Sequence, residues 1–141
     1  MLSQKARYAF HAMTYLARKG EPASVAEIAA SEGMPAKFLE QVMAALKAGG
    51  LVASRRGAGG GYRLARPAVE ISFAAIMRCI DGPLALAPCA SQHAYGPCAD
   101  CKTPEACEIR QVLISVRDTT ALLLEGTSLA EMIGGRKISF I

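Results

Sequence analysis

Between Leu51 and Pro67 the chain reads LVASRRGAGGGYRLARP. Four glycines within five residues, flanked by short runs of β-compatible residues, restrict this stretch to a hairpin. The expected pieces are a strand from Leu51 to Arg55, a tip from Gly57 to Gly61, and a return strand from Tyr62 to Leu64 closed by Pro67. GAGGGY matches part of a nucleotide-binding G-x-G-x-x-G, but the third glycine is missing. The run also lies in a hairpin tip and not between a strand and a helix, so a phosphate-binding loop is excluded.

The preceding residues say what the hairpin is attached to. Apolar residues at Ala6, Ala9, Phe10, Met13, Leu16 and Ala17 give a helix over 3–19 that Gly20 ends. Ser24 caps a short helix over 25–31, with Val25, Ile28 and Ala29 on one face. Gly33 permits a tight turn, and Pro35 suits the first position of a longer helix over 35–48. That helix buries Phe38 or Leu39 together with Val42, Met43 and Leu46. Short helix, glycine turn, longer helix and hairpin make a winged helix-turn-helix. The fold class is therefore mainly α with a small β-hairpin wing.

Charge supports an anionic partner for this half. Up to Glu70 there are ten Lys and Arg against five Asp and Glu, and beyond it six against seven. Nucleic acid fits better than membrane, because no strongly basic amphipathic helix is present and no apolar run is long enough to span a bilayer. In a winged helix-turn-helix the start of the second motif helix enters the major groove. That makes Ala36, Lys37, Glu40 and Gln41 the candidate readers, with Gln41 suited to adenine and Glu40 to cytosine, unless a neighbouring Arg holds Glu40 instead. Arg55, Arg56, Tyr62 and Arg63 form the wing's candidate contacts, and Arg66 lies beside them. The arginines there are suited to phosphates or a minor groove.

Downstream, a helix over 71–80 is expected, ending at Asp81-Gly82-Pro83, with Cys79 as a small buried residue in it. A stretch of low periodicity then holds Cys89, Cys98, Cys101 and Cys107, four of the five cysteines. Thr103-Pro104-Glu105 reads as a cap and first turn, opening a long helix over 104–125 that places Cys107 in its first turn, where the helix dipole favours a thiolate. Ile109, Val112, Leu113, Val116, Thr120 and Leu123 line one face of it, and Ile114, Leu122 and Leu124 add others. So apolar a helix calls for a second copy of the chain as cover, and a dimer calls for a roughly palindromic site on double-stranded DNA. Ser128 and Glu131 form a capping box for a short last helix before the tail GGRKISFI.

The domain reading is a winged helix-turn-helix over 1–82, a cysteine-rich sensor loop over 83–103, dimerisation and short terminal helices over 104–133, and a tail over 134–141. With no export signal or membrane span, the expected location is the cytoplasm, where disulfides are rare and clustered cysteines bind metal or respond to oxidants. The four thiols admit an iron-sulfur cluster, a structural zinc, a thiol/disulfide switch, or no role. Cys98-x2-Cys101 is half of a common zinc site, but no second close pair accompanies it. His93 reads as a solvated loop histidine. A thiol oxidoreductase lacks a catalytic partner set: His11 is in the first helix, and no Cys-x-x-Cys sits between a strand and a helix. The chain does not read as an enzyme.

FLEQVMAALKAGGLVASRRGAGGGYRLAR and SQKARYAFHAM resemble the recognition helix, wing and first helix of the Rrf-type family of bacterial winged-helix transcription regulators, the IscR, NsrR, RirA and CymR group. The resemblance covers Met1 to about Ile133. It implies a homodimeric regulator that senses iron, redox state or nitric oxide through an iron-sulfur cluster held by three cysteines. Carried over by position, Cys89, Cys101 and Cys107 match that set, and Cys98 exceeds it. Some relatives place a histidine ligand three residues after the last cysteine, where this chain has Arg110.

Overall fold

The computed structural model describes residues 2–135. Most of the tail, 136–141, lies outside them. The helices are α1 (Gln4–Lys19), α2 (Val25–Glu32), α3 (Ala36–Ala48), α4 (Phe73–Asp81), α5 (Glu108–Glu125) and α6 (Leu129–Ile133). The strands β1 (Val52–Arg55) and β2 (Gly61–Leu64) form one antiparallel hairpin, with Val52 opposite Leu64 and Arg55 opposite Gly61.

Serines start four of the six helices. Ser3, Ser24, Ser72 and Ser128 each accept a hydrogen bond from the backbone N–H three residues on, satisfying a donor that has no partner within the helix. Ser128 and Glu131 complete the expected capping box. The other two starts differ from expectation. Pro35 stands at the cap of α3 and not inside it. Pro104–Ala106 forms a separate 3-10 turn, so the long helix begins only at Glu108. Thr103 makes no side-chain capping bond, and Cys107 becomes the cap residue of α5 instead of part of its first turn. A local proline turn has outcompeted continuation of the helix. The fourth helix likewise starts at Phe73, because Ser72 captures the cap and leaves Ile71 buried just before it.

The core gathers Ala9, Met13 and Leu16 of α1, Ile28 of α2, Leu39, Val42, Met43 and Leu46 of α3, Ile76 of α4 and Leu129 of α6. Leu39 is fully buried while Phe38 is half-buried and meets Tyr8 edge-on. Phe10 stacks on Phe73 at 4.1 Å between ring centroids, joining α1 to α4. Tyr15 and Lys19 of α1 both donate to Glu27 of α2, and they hold its carboxyl below the ordinary carboxylate range, Lys19 more than Tyr15. Cys79 packs between helices, half-buried where a buried residue is expected. Its thiol donates to the Ala45 carbonyl at 3.4 Å, it packs on Gly49, and burial pushes its pKa up.

α5 stands apart from this core. None of its residues is fully buried. The chain leaves the core after α4 and returns at Leu129, whose N–H donates to Ile71, while Phe73 N–H donates to Thr127. α5 is thus an excursion about 27 Å long whose far end is sewn back beside the start of α4.

Candidate nucleic-acid interface and thiol cleft

The outer face of α3 carries Ala36, Lys37, Glu40 and Gln41, all exposed, while Leu39, Val42, Met43 and Leu46 hold the inner face in the core. Positions i, i+1, i+4 and i+5 share one side of a helix, so the four project together. Among the described residues no ion pair engages Glu40, leaving its carboxylate available for base contact. Lys47 donates to Ser54 at 2.6 Å and ties the end of α3 to the wing.

Arg55, Arg56, Arg63 and Arg66 are exposed on or beside the hairpin. Tyr62 is half-buried and packs on the core, so it anchors the wing more than it displays a ring. Its backbone exchanges two hydrogen bonds with Ala23, at 2.8 and 2.9 Å, which fastens the hairpin to the α1–α2 connection. Gly61 permits this approach. Its φ is +124°, and a Cβ there would lie 2.6 Å from the Ala23 carbonyl oxygen. Nothing in the local sequence around Gly61 or Ala23 signals this contact.

The four loop thiols open on one cleft of about 440 Å³, shared with Asp100, Arg110 and Leu113. All are free. Cys89 is buried in a 3-10 turn, Pro88–Ala90, and Cys98, Cys101 and Cys107 are half-buried. The Cys98 thiol donates to Cys89 Sγ at 3.6 Å, and this bond, with burial and the neighbouring Cys101 and Asp100, raises the Cys98 pKa. His93 is exposed and is not on this cleft.

Two arginines of α5, seven residues apart and so on one face, reach the same turn. Arg110 Nε donates to the Cys89 carbonyl at 2.9 Å, and Arg117 donates to the Ala90 carbonyl at 2.5 Å. Arg110 also lies 5.9 Å over the Tyr95 ring. This clamp was missed in the sequence. Its only trace there is a pair of arginines at two-turn spacing on a helix of mixed polarity.

In chemistry the donors fit a thiolate-bound centre. Two sulfurs on one tetrahedral ion stand about 3.8 Å apart, close to the Cys89–Cys98 separation. Among the described residues, however, no three His, Cys, Asp or Glu side chains stand close enough together to hold a metal ion. The cleft therefore supplies four thiols, two of them a preformed pair.

Residues 2–135 match the family model of Rrf2, iron-dependent transcriptional regulators. The chain belongs to the Rrf2 family. It is 39% identical over 138 residues to an rrf2-like HTH-type transcriptional regulator of Rhodobacter capsulatus, covering 94% of this chain and 92% of that one. Among solved structures it is similar to CymR, the global cysteine regulator of B. subtilis, with a TM-score of 0.77 at 29% identity over 97% of this chain and 98% of that one. It is also similar to IscR of T. potens, with a TM-score of 0.72 at 29% identity over 97% and 88%. As an Rrf2 protein it is a DNA-binding transcriptional regulator and not an enzyme. Among the described residues no helix of this Rrf2 chain is long and apolar enough to cross a membrane.

Proposed function

We propose that this Rrf2 chain is a homodimeric, sequence-specific regulator whose four-cysteine cleft holds an iron-sulfur cluster. Residues 1–82 bind DNA, 83–103 carry the sensor loop, and 104–133 form the dimer contact. The observation that carries the DNA part is the exposed set Ala36, Lys37, Glu40 and Gln41 beside a wing whose arginines are also exposed. The description of the family as iron-dependent and the likeness to an IscR support the cluster. Cys89, Cys98, Cys101 and Cys107 would hold it, and it would supply sensitivity to iron, redox state or nitric oxide. The Arg110 and Arg117 clamp then gives the loop a rigid handle on α5, so a loop that changes shape bears on the helix that joins two DNA-binding heads.

The direct test is anaerobic purification followed by iron and acid-labile sulfide per chain, with operator affinity of the loaded and stripped protein. Iron matched by sulfide is expected, with a difference in affinity between the two forms. Zinc without sulfide, or identical affinities, overturns the cluster or the coupling respectively. A cluster-free regulator with zinc or a thiol switch is the second reading, and the single close sulfur pair favours the thiol switch.

Contacts within the DNA interface separate by chemistry. Arg56→Ala is expected to weaken binding to all sequences and lower the salt slope by about 1. Gln41→Ala is expected to relax preference at one base position, worth about 1–3 kcal/mol. Anisotropy titrations across salt and operator variants check both, and sequence-blind losses from each would sink the assignment.

A further inference from the structure

The loop's four thiols are not equivalent in placement. Cys98 and Cys89 form the one thiol–thiol hydrogen bond among the described residues. The backbone brings them there. Gly96 N–H donates to the Pro88 carbonyl at 3.2 Å, folding the chain back so that the residues following Gly96 return beside the Pro88–Ala90 turn. On that turn Cys89 is held through its own carbonyl by Arg110 and through the next carbonyl by Arg117. Cys101 is tied to Cys98 through the backbone, its N–H donating to the Cys98 carbonyl at 3.1 Å, without a thiol–thiol bond, and Cys107 follows the separate turn Pro104–Ala106. The loop-closure entropy of joining Cys89 to Cys98 has therefore been met by the fold, and the link spans few residues.

We propose that in the metal-free protein Cys89 and Cys98 are a built disulfide pair, closed by hydroperoxide oxidants while Cys101 and Cys107 stay reduced. The chemistry balances with the oxidant as the second reactant. One thiolate of the pair attacks the O–O bond of hydrogen peroxide, forming a sulfenic acid and releasing hydroxide. The other thiolate attacks that sulfur, forms the S–S bond and expels a second hydroxide. The two thiol protons convert both hydroxides to water, and the two electrons lost by the sulfurs reduce the peroxide. Oxidation then withdraws two of the four donors, so the oxidised loop cannot take up metal until it is reduced. That consequence rests on the ligand role proposed above, but formation of the bond does not.

The sequence makes the test clean. A protease cutting before aspartate yields peptide 81–99, whose only cysteines are Cys89 and Cys98, and peptide 100–117, whose only cysteines are Cys101 and Cys107. Full-length protein is stripped with EDTA, reduced, freed of reductant, treated with hydrogen peroxide, denatured in iodoacetamide and digested. Peptide 81–99 is expected unalkylated and two hydrogens lighter, with peptide 100–117 alkylated twice. Cys98→Ser is expected to abolish the light peptide and Cys101→Ser to leave it. A disulfide inside 100–117, a link between the two peptides, or four alkylated thiols overturns the pairing. Zinc titration of the reduced and oxidised forms separates the two claims. Binding by the reduced form alone supports both. Equal binding by both forms overturns the competition. A light peptide with no zinc bound by either form upholds the disulfide and removes the zinc reading, leaving the cluster to the iron and sulfide assay.

Discussion

Gly61→Val is expected to cut operator affinity by roughly 30- to 100-fold while leaving the helical circular dichroism signal near that of the parent. The backbone at Gly61 has a φ of +124°, where a β-branched residue is strained by about 1–3 kcal/mol. The new Cβ would also lie 2.6 Å from the Ala23 carbonyl oxygen and 2.7 Å from its carbon, both rigid backbone atoms. The two Ala23–Tyr62 hydrogen bonds cannot survive that contact, and each contributes about 1 kcal/mol. Release of the hairpin is a cheaper response than global unfolding, because the helical core of α1, α3 and α4 does not run through the wing tip. Freed, the hairpin no longer presents Arg55, Arg56 and Arg63 in register with α3. Two or three contacts at about 1 kcal/mol apiece account for the expected loss. Ala58→Val, at the exposed tip, is the control and should leave affinity unchanged. Parental affinity in Gly61→Val would show that the wing takes no part in binding.

The same glycine shows where sequence reading succeeds and where it stops. Helix periodicity, serine caps and the glycine-rich tip are local signals, and α1 to α4 with the hairpin were legible from them. Gly61 was readable as a turn residue, but its close approach to Ala23 joins positions 38 residues apart, and nothing in either local pattern announces it. The cysteines behave likewise. Their number and spacing identify the loop, yet the nearness of Cys89 to Cys98 depends on a fold-back at Gly96, and the clamp on Cys89 depends on which face of α5 meets the turn. The misplaced start of α5 has a local cause. Thr103-Pro104-Glu105 is a sound helix opening by composition, and a single 3-10 turn satisfies it equally, which moves Cys107 from the first turn to the cap.

The double change Val112→Glu and Val116→Glu is expected to convert the protein to a monomer and lower operator affinity by at least about 100-fold. Ile109, Val112 and Val116 are 68, 62 and 40% exposed, and their spacing of three and four places them on one stripe of α5 with half-buried Leu113 and Leu123 beside it. Burying such side chains contributes about 1.5–3 kcal/mol each, and a two-fold contact uses every one of them twice. Within one protomer that stripe is left largely uncovered at Ile109 and Val112 and only partly covered at Val116, and α5 contains no fully buried residue. Four carboxylates brought into a symmetric apolar contact would each cost several kcal/mol, more than the stripe can return. The protomer itself should be indifferent to the change, because the two valines contribute nothing to the core that holds α1, α3 and α4. Sedimentation velocity therefore ought to report a monomer whose melting temperature is close to that of the parent at low concentration. Leu122→Glu, at 78% exposure and on a different face of α5, should leave both the dimer and the affinity intact. A double variant that sediments as the parent does would place the contact between copies elsewhere and free the α5 stripe for another partner. In that case the Arg110 and Arg117 clamp would bear on that partner's surface instead of on the angle between two DNA-binding heads.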